Sequence, residues 1–348
     1  MTHLTPPILA TPRLAPRAVA RPAVRRRPGT TWLRGLLLVS CCVLGWSLSA
    51  WAAGPAIYLI PKGTQHLYWR TVHAGARQAA DELGVRLYYR GPGEDDNRSG
   101  QAVLLRRAID QGYAGIVLAP NHQHQYVALV AEARAKGIAV VVIDSQLQGG
   151  AQQSFVATDN YLAGRRAGRA LSEALAGRGR VLLLRYLEGN ASTERREQGF
   201  IDALQDSEVV IVHQGYVGAS VGEALRNSLA LLDAAGPLDA VFAPNESATE
   251  GVLLALGRTQ RLGRIKVVGF DYSPVIWASL VRGELTALVL QQPYAIGYQG
   301  VQAVVAALNR RPLAAQIRID SVLVDGSNYR TPRVQAIIDQ TPASVADY

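Results

Sequence analysis

From Ala56 onward the sequence alternates between short apolar runs and longer amphipathic ones. The short runs are rich in β-branched residues and leucine: "AIYLI" (Ala56–Ile60), "VRLYYR", "GIVLAP", "AVVVID", "RVLLLRY", "VVIVHQGY", "AVFAP", "KVVGFD" and "ALVLQQ". They read as strands. Between them lie stretches such as Gln101–Gln111 and Tyr126–Lys136, with apolar positions at helical spacing. Buried strands alternating with amphipathic helices predict an α/β chain with parallel sheets and helices on both faces. There are more such units than one sheet holds comfortably, so the pattern favours two sheets.

The two halves also echo each other. "GIVLAPN" (Gly115–Asn121) is similar to "AVFAPN" (Ala240–Asn245), and "AVVVIDS" (Ala139–Ser145) to "KVVGFDYS" (Lys266–Ser273). Asn, Asp and Ser are good helix N-caps, which accounts for each site singly. It accounts less well for the repetition. In open α/β sheets ligands bind outside the carboxyl ends of the strands. Two facing sheets would aim both sets of polar ends into one cleft. A Tyr-Trp pair, Tyr68 and Trp69, stands at the junction between the first strand and its helix, where no core position demands it.

The formal charge of +9 suggests a nucleic-acid partner, but its distribution does not. The first 52 residues contain seven arginines and no acid or lysine, which leaves +2 for the rest. A near-neutral body has no electrostatic footprint for phosphate. The basic stretch ends at Arg34 and an apolar run follows, Gly35–Ala50, then the small-x-small "AWA". This predicts a secretory signal peptide over residues 1–52. An uncleaved signal anchor or a lipidated Cys41 are the alternatives. Both cysteines, Cys41 and Cys42, lie within this leader. The mature chain is then cysteine-free, without disulfide, thiolate nucleophile or Cys-ligated metal, which suits a bacterial periplasm.

Seven motifs in order carry a resemblance. They are the aromatic pair before "GARQAADELG", then "VVIDSQ", "VATDNYLAGRRAG", "GNASTERREQGF", "AVFAPNESATEGVLLAL", "VVGFDYSP" and "LQQPYAIGYQGV". In this order and spacing the chain resembles the ribose-type periplasmic binding proteins, the sugar-binding components of ABC importers. The resemblance implies two Rossmann-like lobes joined by three chain crossings. It places the N-terminal lobe at 53–158 plus 293–322 and the C-terminal lobe at 159–292 plus 323–348. It implies a monomer without cofactor that closes on a small sugar or polyol and presents its closed form to an ABC permease. A chemoreceptor or sensor kinase reading the same closed surface is the alternative output.

Matched one at a time, the resemblance implies that Tyr68 and Trp69 flank the sugar ring, with Trp69 the main platform. His66 stands where the family often has a hydrogen-bonding Asn. Asp144, Asn245, Asp271 and Gln291 match polar residues that take sugar hydroxyls, and carboxylates and amides suit polyols. Ser145 and Glu194 stand where the ribose pattern has ligand arginines, and Arg196 matches a further Arg, usually structural. A one- or two-residue slip would bring Arg195 inward instead. The first lobe's strand-end Asn becomes Ala119, with Asn121 two residues on. A third aromatic falls near Val217, beside Tyr216. Asp144, Glu194 and Asp271 without the family arginines imply an unusually acidic pocket. That points to a ligand other than ribose: another polyol, an amino-sugar or a cationic small molecule.

Nothing marks an enzyme. There is no G-x-S-x-G, H-E-x-x-H or Walker-type phosphate loop. "NHQH" (Asn121–His124) offers two histidines at i, i+2 without further metal ligands. A sugar-responsive repressor would carry a helix-turn-helix in place of this Arg/Pro-rich leader.

Overall fold

The computed structural model describes residues 54–342. The predicted signal peptide, with Cys41 and Cys42, lies outside them. Two six-stranded sheets form. The first contains β1 (Ala56–Ile60), β2 (Arg86–Tyr89), β3 (Gly115–Leu118), β4 (Ala139–Ile143), β5 (Ser154–Thr158) and β11 (Gln316–Ile319). Its order is β11-β5-β4-β3-β1-β2, and every pair is parallel. The second contains β6 (Arg178–Arg185), β7 (Glu208–Tyr216), β8 (Ala240–Phe242), β9 (Lys266–Phe270), β10 (Ala287–Leu290) and β12 (Val322–Asp325). Its order is β12-β10-β9-β8-β6-β7, parallel apart from β12 against β10.

The central strands are buried along their whole length, as "GIVL" and "AVVVI" are, while the edge strand β2 alternates exposed and half-buried. This is what parallel sheets covered on both faces require. The expected strands are present. β5, β11 and β12 were not among them: "SFVAT", "QIRI" and "VLVD" are short, and neighbours already in place recruit them.

Among the described residues ten helices cover the sheets. Those of the first half are α1 (Leu67–Leu83), α2 (Arg98–Asp110), α3 (Val127–Ala135), α4 (Asn160–Ala174) and α5 (Ala191–Leu204). The others are α6 (Val221–Ala234), α7 (Glu246–Arg258), α8 (Pro274–Val281), α9 (Pro293–Leu308) and α10 (Pro332–Ile338). The chain changes sheet three times: after β5, after β10, and between β11 and β12. Asp320 and Ser321 make the last crossing, so Val322 already stands on the second sheet.

In each lobe a helix pair crosses closely at glycine. A Cβ at Gly75 of α1 would lie 1.9 Å from the carbonyl oxygen of Tyr294, which belongs to α9. A Cβ at Gly164 of α4 would lie 2.0 Å from the carbonyl oxygen of Arg196 on α5. Only glycine permits such backbone contact. The second crossing therefore also fixes where Arg196 sits.

Candidate functional site

Residues just beyond the strands' carboxyl ends converge between the two sheets. Lys62 follows β1, Asp144 follows β4, Tyr186 follows β6, Asn245 follows β8, Asp271 follows β9 and Gln291 follows β10. All six line one cavity of about 350 Å³, counting its opening to solvent. His66, Tyr68 and Trp69 at the start of α1 complete one wall, and Asn190, Ser192, Thr193 and Arg196 around the start of α5 the opposite one.

The two strand-end aspartates share a backbone state. Asp144 has φ 62° and Asp271 φ 67°, both left-handed. Asp is among the few residues that adopt this region readily. The turn sends each carboxylate into the cavity. Asp144 Oδ1 accepts from the Tyr68 hydroxyl at 2.7 Å, and Oδ2 sits 2.6 Å from Lys62 Nζ. That contact is a buried ion pair. Burial alone would raise the Asp144 carboxyl; the charges of Lys62 and Arg196 and the bonds it accepts outweigh burial and hold it below its ordinary value.

Asp271 Oδ1 accepts from Gln291 Nε2 at 2.6 Å, and Oδ2 from the backbone N–H of Glu246 at 3.1 Å. Arg196 Nη1 stands 3.8 Å away. Burial nevertheless raises the Asp271 carboxyl above its usual range, with the Asp144 charge adding to it. Arg196 is itself fixed: Nε donates to Asn160 Oδ1 and Nη1 to the Pro244 carbonyl, both at 2.8 Å, and its plane lies over Phe270.

Glu246 spans the lobes. Its two oxygens accept from the backbone N–H groups of Leu67 and Tyr68, at 3.1 and 3.0 Å, at the N-terminus of α1. A carboxylate is favourable there. Burial still raises it to about 7, against the pull of His66 and those two bonds. Burial would lower the His66 ring, but Asp95, Glu246, Asp271 and the bond to the Ala219 carbonyl outweigh it and raise it. Tyr68 and Trp69 meet edge to face at 4.9 Å, and Trp69 Nε1 donates to Asp95.

Two buried polar atoms on the cavity wall have no protein partner: Asn190 Nδ2 and Gln291 Oε1. Their orientations are set from the other side. Asn190 Oδ1 receives Lys62, Ser192 and the Thr193 N–H, while Gln291 Nε2 is committed to Asp271. Buried polar groups of this kind are ordinarily paired. These two present one donor and one acceptor.

Of the residues singled out from sequence, His66, Tyr68, Trp69, Asp144, Arg196, Asn245, Asp271 and Gln291 line the cavity. Three do not. Asn121 faces away, its Oδ1 taken by the Tyr126 hydroxyl. Ser145 Oγ accepts from the Ser192 N–H across the cleft. Glu194, in the first turn of α5, takes the Gly189 N–H and the Gln123 amide instead. Arg195 stacks on Tyr161, away from the cavity. The third aromatic is also elsewhere: Val217 is core, Tyr216 is exposed under Arg185, and Tyr186 lines the cavity. The cavity keeps more acids than cations, but from residues other than Glu194. Asp95, Asp144, Glu246 and Asp271 face Lys62, Arg196 and the raised His66. Lys62, Tyr186 and Glu246 were legible by the strand-end rule that found Asp144; Asp95, in a loop, had no signal. Among the described residues no group of three or more His, Cys, Asp or Glu side chains is arranged to hold a metal ion.

A sequence profile described as "Periplasmic binding protein domain" matches residues 57–312. The D-allose-binding periplasmic protein of Escherichia coli is 29% identical over 276 residues, 76% of this chain and 88% of its own. The periplasmic component of an ABC-type sugar transport system from Hahella chejuensis superposes with TM-score 0.75 at 37% identity, over 77% of this chain and 99% of its own. A carbohydrate transporter solute binding protein from Agrobacterium radiobacter, solved with D-arabinose, does so with TM-score 0.79 at 30% identity, over 82% and 99%.

Proposed function

Because this chain belongs to the periplasmic binding protein family, we propose that it captures one uncharged sugar or polyol of monosaccharide size between its lobes and delivers it to an ABC permease. The observation that carries this reading is the cavity wall. Rings of Tyr68, Trp69 and Tyr186 alternate with carboxylates and amides, among them the unpartnered Asn190 Nδ2 and Gln291 Oε1. A sugar has an apolar C–H face to lie on a ring and hydroxyls that both donate and accept. Lys62 and Arg196 offset two of the four carboxylates, and burial raises Glu246 and Asp271 toward the neutral form, which favours a neutral ligand over a cation. Closure around the ligand shifts the population toward the form the permease recognises. The protein acts as a monomer in the periplasm after removal of its leader, and it performs no chemistry on its ligand.

Ribose, allose, apiose and arabinose, the sugars of similar proteins, define a panel. Thermal-shift screening of those sugars, with an amino-sugar and a sugar acid as charged controls, tests the reading. A neutral sugar should raise Tm at micromolar concentration. Stabilisation by the charged compounds alone would overturn it.

A further inference from the structure

The Lys62 amine is almost wholly buried between the lobes. Its nearest partner, Asp144 Oδ2, belongs to its own lobe and sets its direction. Its other two partners, Asn190 Oδ1 at 3.2 Å and Ser192 Oγ at 3.0 Å, belong to the opposite lobe. Three protein oxygens therefore surround the three N–H groups of the ammonium. The same stretch of the second lobe is held twice more: Ser192 N–H donates to Ser145 Oγ, and the Gly189 carbonyl accepts from the Gln123 N–H at 2.9 Å. None of these contacts passes through a ligand.

We infer that Lys62 is an interlobe pin, a positioning residue that holds the closed form before any ligand enters. The ion pair with Asp144 is intralobe, so it persists when the cleft opens and keeps the amine aimed at the Asn190–Ser192 turn. Closing then adds two charge-assisted bonds. Contacts present only in the closed state enlarge its population, and the apparent affinity rises in proportion to that fraction. Lys62 thus acts on occupancy through the lobes as well as from the cavity wall.

The test needs no ligand, so its outcome is independent of which sugar binds, or whether one does. The full-length protein, stripped by unfolding and refolding, is compared by small-angle X-ray scattering with Lys62→Met, Ser192→Ala and the double variant, with circular dichroism confirming that each is folded. The wild type should have the shortest pair-distance distribution. Lys62→Met should shift it to longer distances, Ser192→Ala should shift it less, and the double variant should add nothing to Lys62→Met. Superimposable curves for wild type and Lys62→Met, or additive shifts in the double variant, would overturn the inference. If Lys62→Met does not fold, Ser192→Ala against wild type decides: a longer distribution supports the pin and an unchanged one removes it.

Discussion

Asp144 and Asp271 leave their strands through the same left-handed turn, one on each lobe, and their carboxylates face each other across the cavity. The repeat that joins "AVVVIDS" to "KVVGFDYS" in the sequence is thus a repeat of backbone geometry. Each non-glycine residue in such a turn costs about 1 kcal/mol or more, and strain of this kind collects at functional sites. Here it points a carboxylate at the ligand from each side.

Asp271→Asn keeps the size and the tolerance for left-handed backbone but removes the charge. The variant should bind the sugar about 10- to 100-fold more weakly, the range expected when a hydrogen bond to a charged group is weakened. Isothermal titration calorimetry against the wild type measures it. Unchanged affinity would remove Asp271 from the site.

Glu246 makes closure proton-linked. Its carboxyl moves from an ordinary 4.5 to about 7 when buried, and opening the cleft returns it to water. A raised value means that the contribution of Glu246 to the closed form is complete below about pH 4.5 and fades as pH rises through about 7. The raised His66 and Asp271 act in the same direction, while Asp144, held low, acts oppositely only under strong acid. At pH 6 binding should therefore take up protons. Titrations in buffers of different ionisation heat will show this as a buffer-dependent enthalpy, reduced in Glu246→Gln. Net proton release would contradict the assignment.

Gly164→Ala should destabilise the protein by about 1–3 kcal/mol, because the added methyl meets the Arg196 carbonyl with no side chain to yield. The same shift moves Arg196, so affinity should fall as well. Urea denaturation and calorimetry on one preparation measure both. Wild-type values in each would show that α4 and α5 separate without consequence.

Much of this architecture was legible because apolar periodicity is a local property. "AVVVI" can only be a strand buried on both faces, and the Asp that ends it falls at a sheet's carboxyl edge whatever else the chain does. The site was legible where that rule was followed, at Asp144, Asp271 and Gln291. It was equally available for Lys62 and Tyr186, which "PKGT" and the run "RVLLLRY" obscured by reading as a break and a strand. Glu194 shows what sequence position does not determine. It stands two residues before Arg196 on α5, about 200° round the helix, and its carboxylate takes the Gly189 N–H outside the cavity. Asp95 belongs to the same class. Its role follows from a loop packed against Trp69, and it leaves no trace in local pattern.

The central claim is that the cavity holds an uncharged monosaccharide. Native mass spectrometry of the protein purified from the periplasm, followed by identification of the released compound, tests it most directly. The account predicts a mass increment of one neutral pentose, hexose or polyol, lost in Asp271→Asn. A bound amine or acid that neutral sugars cannot displace would contradict it.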